Sequence, residues 1–291
     1  MDSKASKHAV DGNVDSSSFE QPLPSSSSQS VTAVMPVEQE SEYYNMNHPN
    51  RGIALIFNHE TFIVGNFNKR TGTDVDCRNL NEQLISLGFN VKIFKDYKYN
   101  DLIEAVDEVV ELDHSNNDCF LMAILTHGGD SDILYANDRQ YKLDELWSKF
   151  TADRCPTLAG KPKLFLVQAC RGEKFDSGIT MRRSRIQVDG EPMQSYRIPI
   201  YADFLIAYST VAGYYSFRDT EDGSWFMEAL CDELKTNGKI LDFQRILTRV
   251  SRRVATDYEI NDSHFIGFDK LKQMPSITTM LTRLILFSDK Q

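Results

Sequence analysis

Residues 119–129 read Cys119-Phe120-Leu121-Met122-Ala123-Ile124-Leu125-Thr126-His127-Gly128-Gly129. Seven apolar side chains in a row, closed by turn residues, read as a strand buried on both faces, the kind found inside parallel sheets. Similar short runs recur at 53–57, 91–94, 163–169, 204–209 and 283–287. Between them the apolar period changes to that of helices: Leu80, Leu84 and Leu87 ahead of Gly88, then Leu102, Ile103, Val106 and Val110 behind Asn100 as the expected N-cap, then 143–150, 225–237 and 243–258. Repeated strand and helix units predict an α/β fold with a mostly parallel central sheet and helices on both faces.

Thirty-two basic side chains against 42 acidic ones give a net charge of −10, which disfavours a polyanion-binding surface, so no nucleic-acid partner is expected. The apolar runs fall far short of the roughly 18 residues of a membrane span. Met1-Asp2-Ser3-Lys4-Ala5 carries neither a signal-peptide core nor a myristoylation glycine. Five scattered cysteines fit neither a disulfide framework nor paired zinc ligands. The expectation is a cytoplasmic protein with no metal, no cofactor and no membrane attachment. The Ser-rich residues 1 to about 40 hold too few apolar side chains to offset chain entropy, so 1–49 is read as a disordered leading segment. From Phe175 to Pro199 the apolar period vanishes, which reads as a long exposed loop.

In a parallel α/β sheet, reactive groups gather at the carboxyl ends of the strands. Here one such end runs into His127-Gly128-Gly129 and another into Cys170-Arg171-Gly172. A thiolate is a nucleophile, and an imidazole beside it can take the thiol proton and return it to a leaving amine. A lone cysteine on an apolar strand is most often a small buried hydrophobe, and Cys77, Cys119, Cys155 and Cys231 are read that way. His8, His48, His59, His114 and His264 are likewise read as structural. Matched positions on two strand ends, with glycines beside each, separate His127 and Cys170 from these.

Gln168-Ala169-Cys170-Arg171-Gly172, with a histidine 43 residues earlier, resembles the caspase signature. The resemblance extends to Arg70-Thr71-Gly72-Thr73-Asp74-Val75-Asp76, Ala207-Tyr208-Ser209-Thr210, Gly213-Tyr214-Tyr215-Ser216-Phe217-Arg218 and Asp222-Gly223-Ser224-Trp225-Phe226, from about Tyr43 to the C-terminus. The short leading segment is similar to that of effector members. Tyr43-Tyr44-Asn45-Met46-Asn47-His48 and Leu158-Ala159-Gly160-Lys161-Pro162-Lys163 look like the insect ones.

The resemblance implies a caspase-like three-layer sandwich and an aspartate-specific cysteine endopeptidase that executes apoptosis. It makes Cys170 the nucleophile, His127 the acid and base, the backbone N–H groups of Gly128 and Cys170 the oxyanion donors, and the carbonyl of Asn68 the group that orients the histidine. Arg70, Gln168 and Arg218, with Ser209 nearby, would hold the substrate aspartate; a guanidinium offers a fork of donors that matches a carboxylate. Tyr208, Phe217, Trp225 and Phe268 would meet upstream side chains. Gly129 stands where effector members commonly carry an acid, and Phe217 replaces a frequent tryptophan.

A zymogen is implied too, with prodomain 1–49, large subunit 50–189 and small subunit 190–291. Asp189, before Gly190 in the loop 176–199, is the expected processing site, Asp176 a second, and Asp11 and Asp15 candidates in the prodomain. The partners implied are protein substrates with Asp at the cut, an upstream initiator caspase, inhibitor-of-apoptosis-type proteins and a second copy of the chain, paired through the C-terminal strand Ile277 to Phe287 into a dimer of cleaved heterodimers. Two other readings stay open: a catalytically silent relative that regulates an active protease, and a Cys-His peptidase cutting after basic residues, whose pocket would need acids in place of Arg70 and Arg218.

Overall fold

The computed structural model describes residues 35–172, 174–176, 199–219, 221–260 and 271–290. In chain order its elements are β1 (Ile53–Asn58), α1 (Thr73–Ser86), β2 (Asn90–Lys95), α2 (Tyr99–Val110), β3 (Phe120–Leu125), the hairpin strands β4 (Ile133–Tyr135) and β5 (Gln140–Lys142), the short α3 (Asp144–Trp147), β6 (Lys163–Gln168), β7 (Phe204–Tyr208), α4 (Trp225–Asn237), α5 (Phe243–Asp257) and β8 (Ser276–Thr279). Six strands form one sheet in the order β2-β1-β3-β6-β7-β8, parallel except for β8, which runs antiparallel to β7.

The apolar runs are continuous because both faces of the sheet are covered, and strand alternation sorts their side chains between two cores. Ala54, Ile56, Leu121 and Ala123 meet Leu80 and Leu84 of α1, Phe226 and Leu230 of α4, and Ile246 and Val250 of α5. Leu55, Phe57, Phe120 and Met122 point the other way, to Leu102, Val106 and Val109 of α2 and Leu146 of α3. This is the three-layer sandwich expected. Cys77, Cys119, Cys155 and Cys231 are buried.

Three expectations change. The run 283–287 is not a sheet strand: Ile285 and Phe287 are buried in the α4/α5 core, but among the described residues its backbone makes isolated bonds rather than a ladder, Tyr44 N to Leu284 O at 3.0 Å, Leu284 N to Glu42 O at 2.9 Å and Phe243 N to Ile285 O at 2.8 Å. Apolar alternation records burial of one face, not the presence of a ladder partner. The final strand is β8, earlier in the chain, with three polar residues of four. Nor does the folded region begin at 50. Tyr44 and Met46 are buried, and the Tyr44 hydroxyl donates to Asp203 at 2.7 Å, so 35–49 packs along the C-terminal run. Asn100 does not cap α2 either; the cap position is Lys98, and the carboxylate of Asp138, distant in sequence, accepts the Tyr99 N–H at 2.8 Å. Asp11, Asp15, Asp189 and Phe268 lie outside the described residues.

Candidate active site

β3 and β6 pair in parallel with Leu125 opposite Gln168, and Thr126 N donates to Gln168 O at 3.0 Å. Two residues beyond that pair, on adjacent strand ends, stand His127 and Cys170. The chains are close here: a Cβ on Gly128 would fall 2.2 Å from the carbonyl oxygen of Cys170, so only glycine fits. Neither the Gly128 nor the Cys170 backbone N–H is taken by an acceptor among the described residues.

The imidazole is fixed from three sides. His127 Nε2 lies 3.0 Å from the carbonyl of Asn68. A carbonyl only accepts, so Nε2 carries the hydrogen and Nδ1 keeps the free lone pair of a base. The Phe67 ring stacks on it at 4.8 Å and 19°, and Phe62 leans against it at 4.9 Å. Burial by these walls, reinforced by the charges of Arg70 and Arg218 and opposed by the Asn68 carbonyl, pushes the imidazole down to about 4, so it is neutral at pH 7. Phe62 and Phe67 were not singled out from the sequence; the only local cue is that Phe67 precedes Asn68.

With His127 as the candidate base, kcat/KM is expected to fall as pH drops through the imidazole's value. Phe67→Ala admits water, raises that value toward the ordinary ~6.5 and moves the acid limb upward. The expected result is that wild type keeps most of its activity between pH 7 and 5.5 while the variant loses most of it. The range lies above the titration of an ordinary carboxylate, near ~3.9. Superimposable pH–rate profiles would mean that the aromatic walls do not set the proton affinity.

Cys170 is half-buried, with the Ser216 N–H donating to its sulfur at 3.5 Å. Cys170, His127, Arg70, Gln168 and Arg218 line one cavity of about 390 Å³, with Phe175, Tyr215 and Phe217 as an apolar side. Arg70 is 1% exposed, presented by a turn in which Gly72 takes φ 88° to enter α1. Its Nη1 donates to His59 O at 2.8 Å and Thr73 Oγ1 at 2.7 Å, while Nε and Nη2 have no acceptor. Burial first, then the neighbouring Arg218, lowers Arg70 to about 9, which leaves it charged at pH 7. Arg218 Nε donates to Thr71 O at 2.8 Å and no carboxylate pairs with it among the described residues. Gln168 gives Nε2 to Ser216 Oγ at 2.8 Å and keeps Oε1 unpaired. The nearby acid Asp76 is occupied by Ser224 through N at 2.8 Å and Oγ at 2.6 Å, and its own burial raises it to about 6. The cavity therefore presents positive charge and unfilled donors.

Not every expected residue joins it. Tyr208 sits on β7, where alternation turns its ring to the α2/α3 face; the Arg171 guanidinium stacks on it at 3.8 Å, and both line a separate cavity of about 410 Å³ with Asp132 and Trp147. Ser209 is fully buried and hydrogen-bonded to Ala169, so it does not reach the cavity. Trp225 stands behind Phe217, tilted against its ring at 4.8 Å, and continues to Tyr258 at 5.5 Å. The carbonyl of Asp176 accepts the Lys272 N–H at 3.0 Å, which pairs the main chain at that candidate cut. Phe175 and Tyr215 are cavity residues without an assigned role in the sequence reading, although Tyr215 lies inside a quoted motif. Among the described residues no three His, Cys, Asp or Glu side chains form a metal-binding group, and no helix is long and apolar enough to cross a membrane.

Known proteins resemble this chain in sequence and fold. Residues 51–286 match the caspase-domain family. The chain is 52% identical over 268 residues to caspase drICE of Drosophila melanogaster, covering 92% of this chain and 79% of that one, and 42% identical over 245 residues to caspase-3 of Mus musculus, covering 84% and 86%. The crystal structure of caspase-1 from Spodoptera frugiperda superposes with a TM-score of 0.83 at 50% identity, over 89% of this chain and 98% of that one. A cysteine and a histidine on paired strand ends, inside a sandwich that superposes on a solved caspase along nearly its whole length, thus have one family context: the chain belongs to the caspases and is a cysteine endopeptidase.

Proposed function

We propose that this protein cleaves polypeptides after aspartate, is made as a zymogen, and carries out programmed cell death in the cytoplasm. The observation that carries the specificity is Arg70: a buried guanidinium with two unfilled donor nitrogens lines the same cavity as Cys170 and His127, with Arg218 beside it. A substrate carboxylate supplies the missing acceptors and the missing charge, whereas an uncharged side chain leaves both guanidiniums unpaired, which discriminates by several kcal/mol. The net charge of −10 does not oppose this, because the attraction is local.

In the proposed reaction Cys170 Sγ attacks the scissile carbonyl while His127 Nδ1 takes the thiol proton. The resulting oxyanion accepts from the N–H groups of Gly128 and Cys170, donors worth on the order of 3 kcal/mol each in such sites. The imidazolium then protonates the leaving amine, and water, deprotonated by the same nitrogen, hydrolyses the thioester. The substrate adds as a strand along 216–218, with Phe217 as an upstream apolar wall. Maturation follows a cut after Asp189 by an initiator-type caspase or by the protein itself, with inhibitor-of-apoptosis-type proteins as regulators. β8 pairs only with β7 among the described residues, and its outer edge suits a two-fold pairing with a second copy.

Matched fluorogenic tetrapeptides ending in Asp, Asn or Arg test the reading on the processed protein. Turnover is expected to be faster for Asp than for Asn or Arg by orders of magnitude. Folded, processed protein that turns over none of the three would support the silent-relative reading, and a preference for Arg would support the basic-cutting one.

A further inference from the structure

The side chain of Phe217 faces the cavity, but its backbone N–H is engaged inside the protein, donating at 2.7 Å to Oε1 of Gln273. Gln273 is 2% exposed, and its other end, Nε2, donates at 2.7 Å to the carbonyl of Ser209, just past β7. The Ser209 hydroxyl in turn accepts from Ala169 N at 3.3 Å and donates to Ala169 O at 3.1 Å. Ala169 adjoins Cys170. A continuous hydrogen-bonded path thus runs from the segment carrying Phe217, through one buried amide, to the residue before the nucleophile. The segment is also held by the Ser216 N–H on the Cys170 sulfur at 3.5 Å and by Gln168 Nε2 on the Ser216 hydroxyl at 2.8 Å, and single bridges, Lys174 to Tyr214 and Arg218 to Ser224, hold its two ends.

We propose that Gln273 is a positioning residue that sets the height and register of backbone 216–218 relative to Cys170, without touching substrate. This rests on the proteolytic reading above. Both functional groups of the amide are used in a site closed to water, so an apolar replacement strands the Phe217 N–H and the Ser209 carbonyl, and the segment shifts to find partners. Substrate that pairs with this backbone then meets the sulfur out of line, and small misplacements are costly in rate.

The test uses processed Gln273→Leu and Gln273→Glu proteins and three readouts: KM and kcat for the Asp-ending peptide, the alkylation rate of Cys170 by iodoacetamide, and hydrogen exchange of 214–218. Iodoacetamide needs the thiol and imidazole but not the strand. For Q273L the expected result is a KM raised roughly tenfold with a smaller change in kcat, alkylation within about twofold of wild type, and faster exchange at 214–218. Q273E keeps the acceptor for Phe217 but loses the donor to Ser209, so its KM falls between. A wild-type KM in Q273L, or alkylation that declines in step with peptide cleavage, would overturn the proposal. Should Q273L fail to fold, Q273E and the wild-type protein decide: a Q273E KM equal to wild type, or a wild-type Phe217 amide that exchanges as fast as an open loop, counts against it. If the wild-type protein cleaves no Asp peptide, the proteolytic reading fails while alkylation and exchange still report on the strut.

Discussion

Cys170→Ala lowers cleavage of an Asp-ending peptide to background, a loss on the order of a million-fold in kcat, the scale seen when a covalent nucleophile is removed. The loss is large because nothing else in the cavity can take its place: its other lining groups are guanidiniums, an amide, aromatic rings, a threonine and a serine hydroxyl, and the imidazole proposed as the base. Removing one sulfur leaves the two strand ends and the Gly128 contact intact, so the variant folds and still binds peptide. Expressed alone it also stays a single chain. Asp189→Ala, with its sulfur present, stays uncut within the loop but keeps the dyad. Fragment masses and N-terminal sequencing read both results. A C170A chain that matures with no other protease present would refute self-processing, and one that still cleaves peptide would refute Cys170 as nucleophile.

The second large effect falls on Arg70. Arg70→Met keeps much of the volume and removes the buried charge. The substrate carboxylate then enters a site with half its donors gone, and breaking one side of a buried ion pair costs about 3–5 kcal/mol, or two to four orders of magnitude in kcat/KM. Cleavage of the Asn peptide, which never had the charge to offer, changes far less, so the Asp-to-Asn ratio collapses. Arg70→Lys restores charge without the fork and recovers part of the ratio. An unchanged iodoacetamide rate in R70M shows that the dyad is intact. A ratio that survives R70M would place the aspartate elsewhere.

Much of this was legible without coordinates because the relevant physics is local. The runs at 119–125 and 163–169 are buried on both faces, so their ends are strand ends, and a histidine and a cysteine two residues past paired positions must be neighbours. Residues whose role depends on a distant partner were not legible. Tyr208 and Ser209 lie in a motif beside the cavity, yet β7 sends one ring to the α2/α3 face and holds the other hydroxyl against Ala169. Gln273 looks like any polar residue before a strand until its two ends are seen bridging Phe217 and Ser209. Phe62 and Phe67 sit in a loop without period, and only folding lays them on His127.

Apolar periodicity and side-chain chemistry alone determined the layered α/β architecture, the two reactive strand ends and the family resemblance, since burial on one or two faces and the kind of group at a strand's end are written in consecutive residues. Tertiary structure decided which groups are desolvated, which donors stay unfilled, that 35–49 packs against the C-terminal run and that β8, not 283–287, closes the sheet. These depend on contacts between segments far apart in the chain, whose pairing is selected by the packing of the whole molecule rather than by any local pattern.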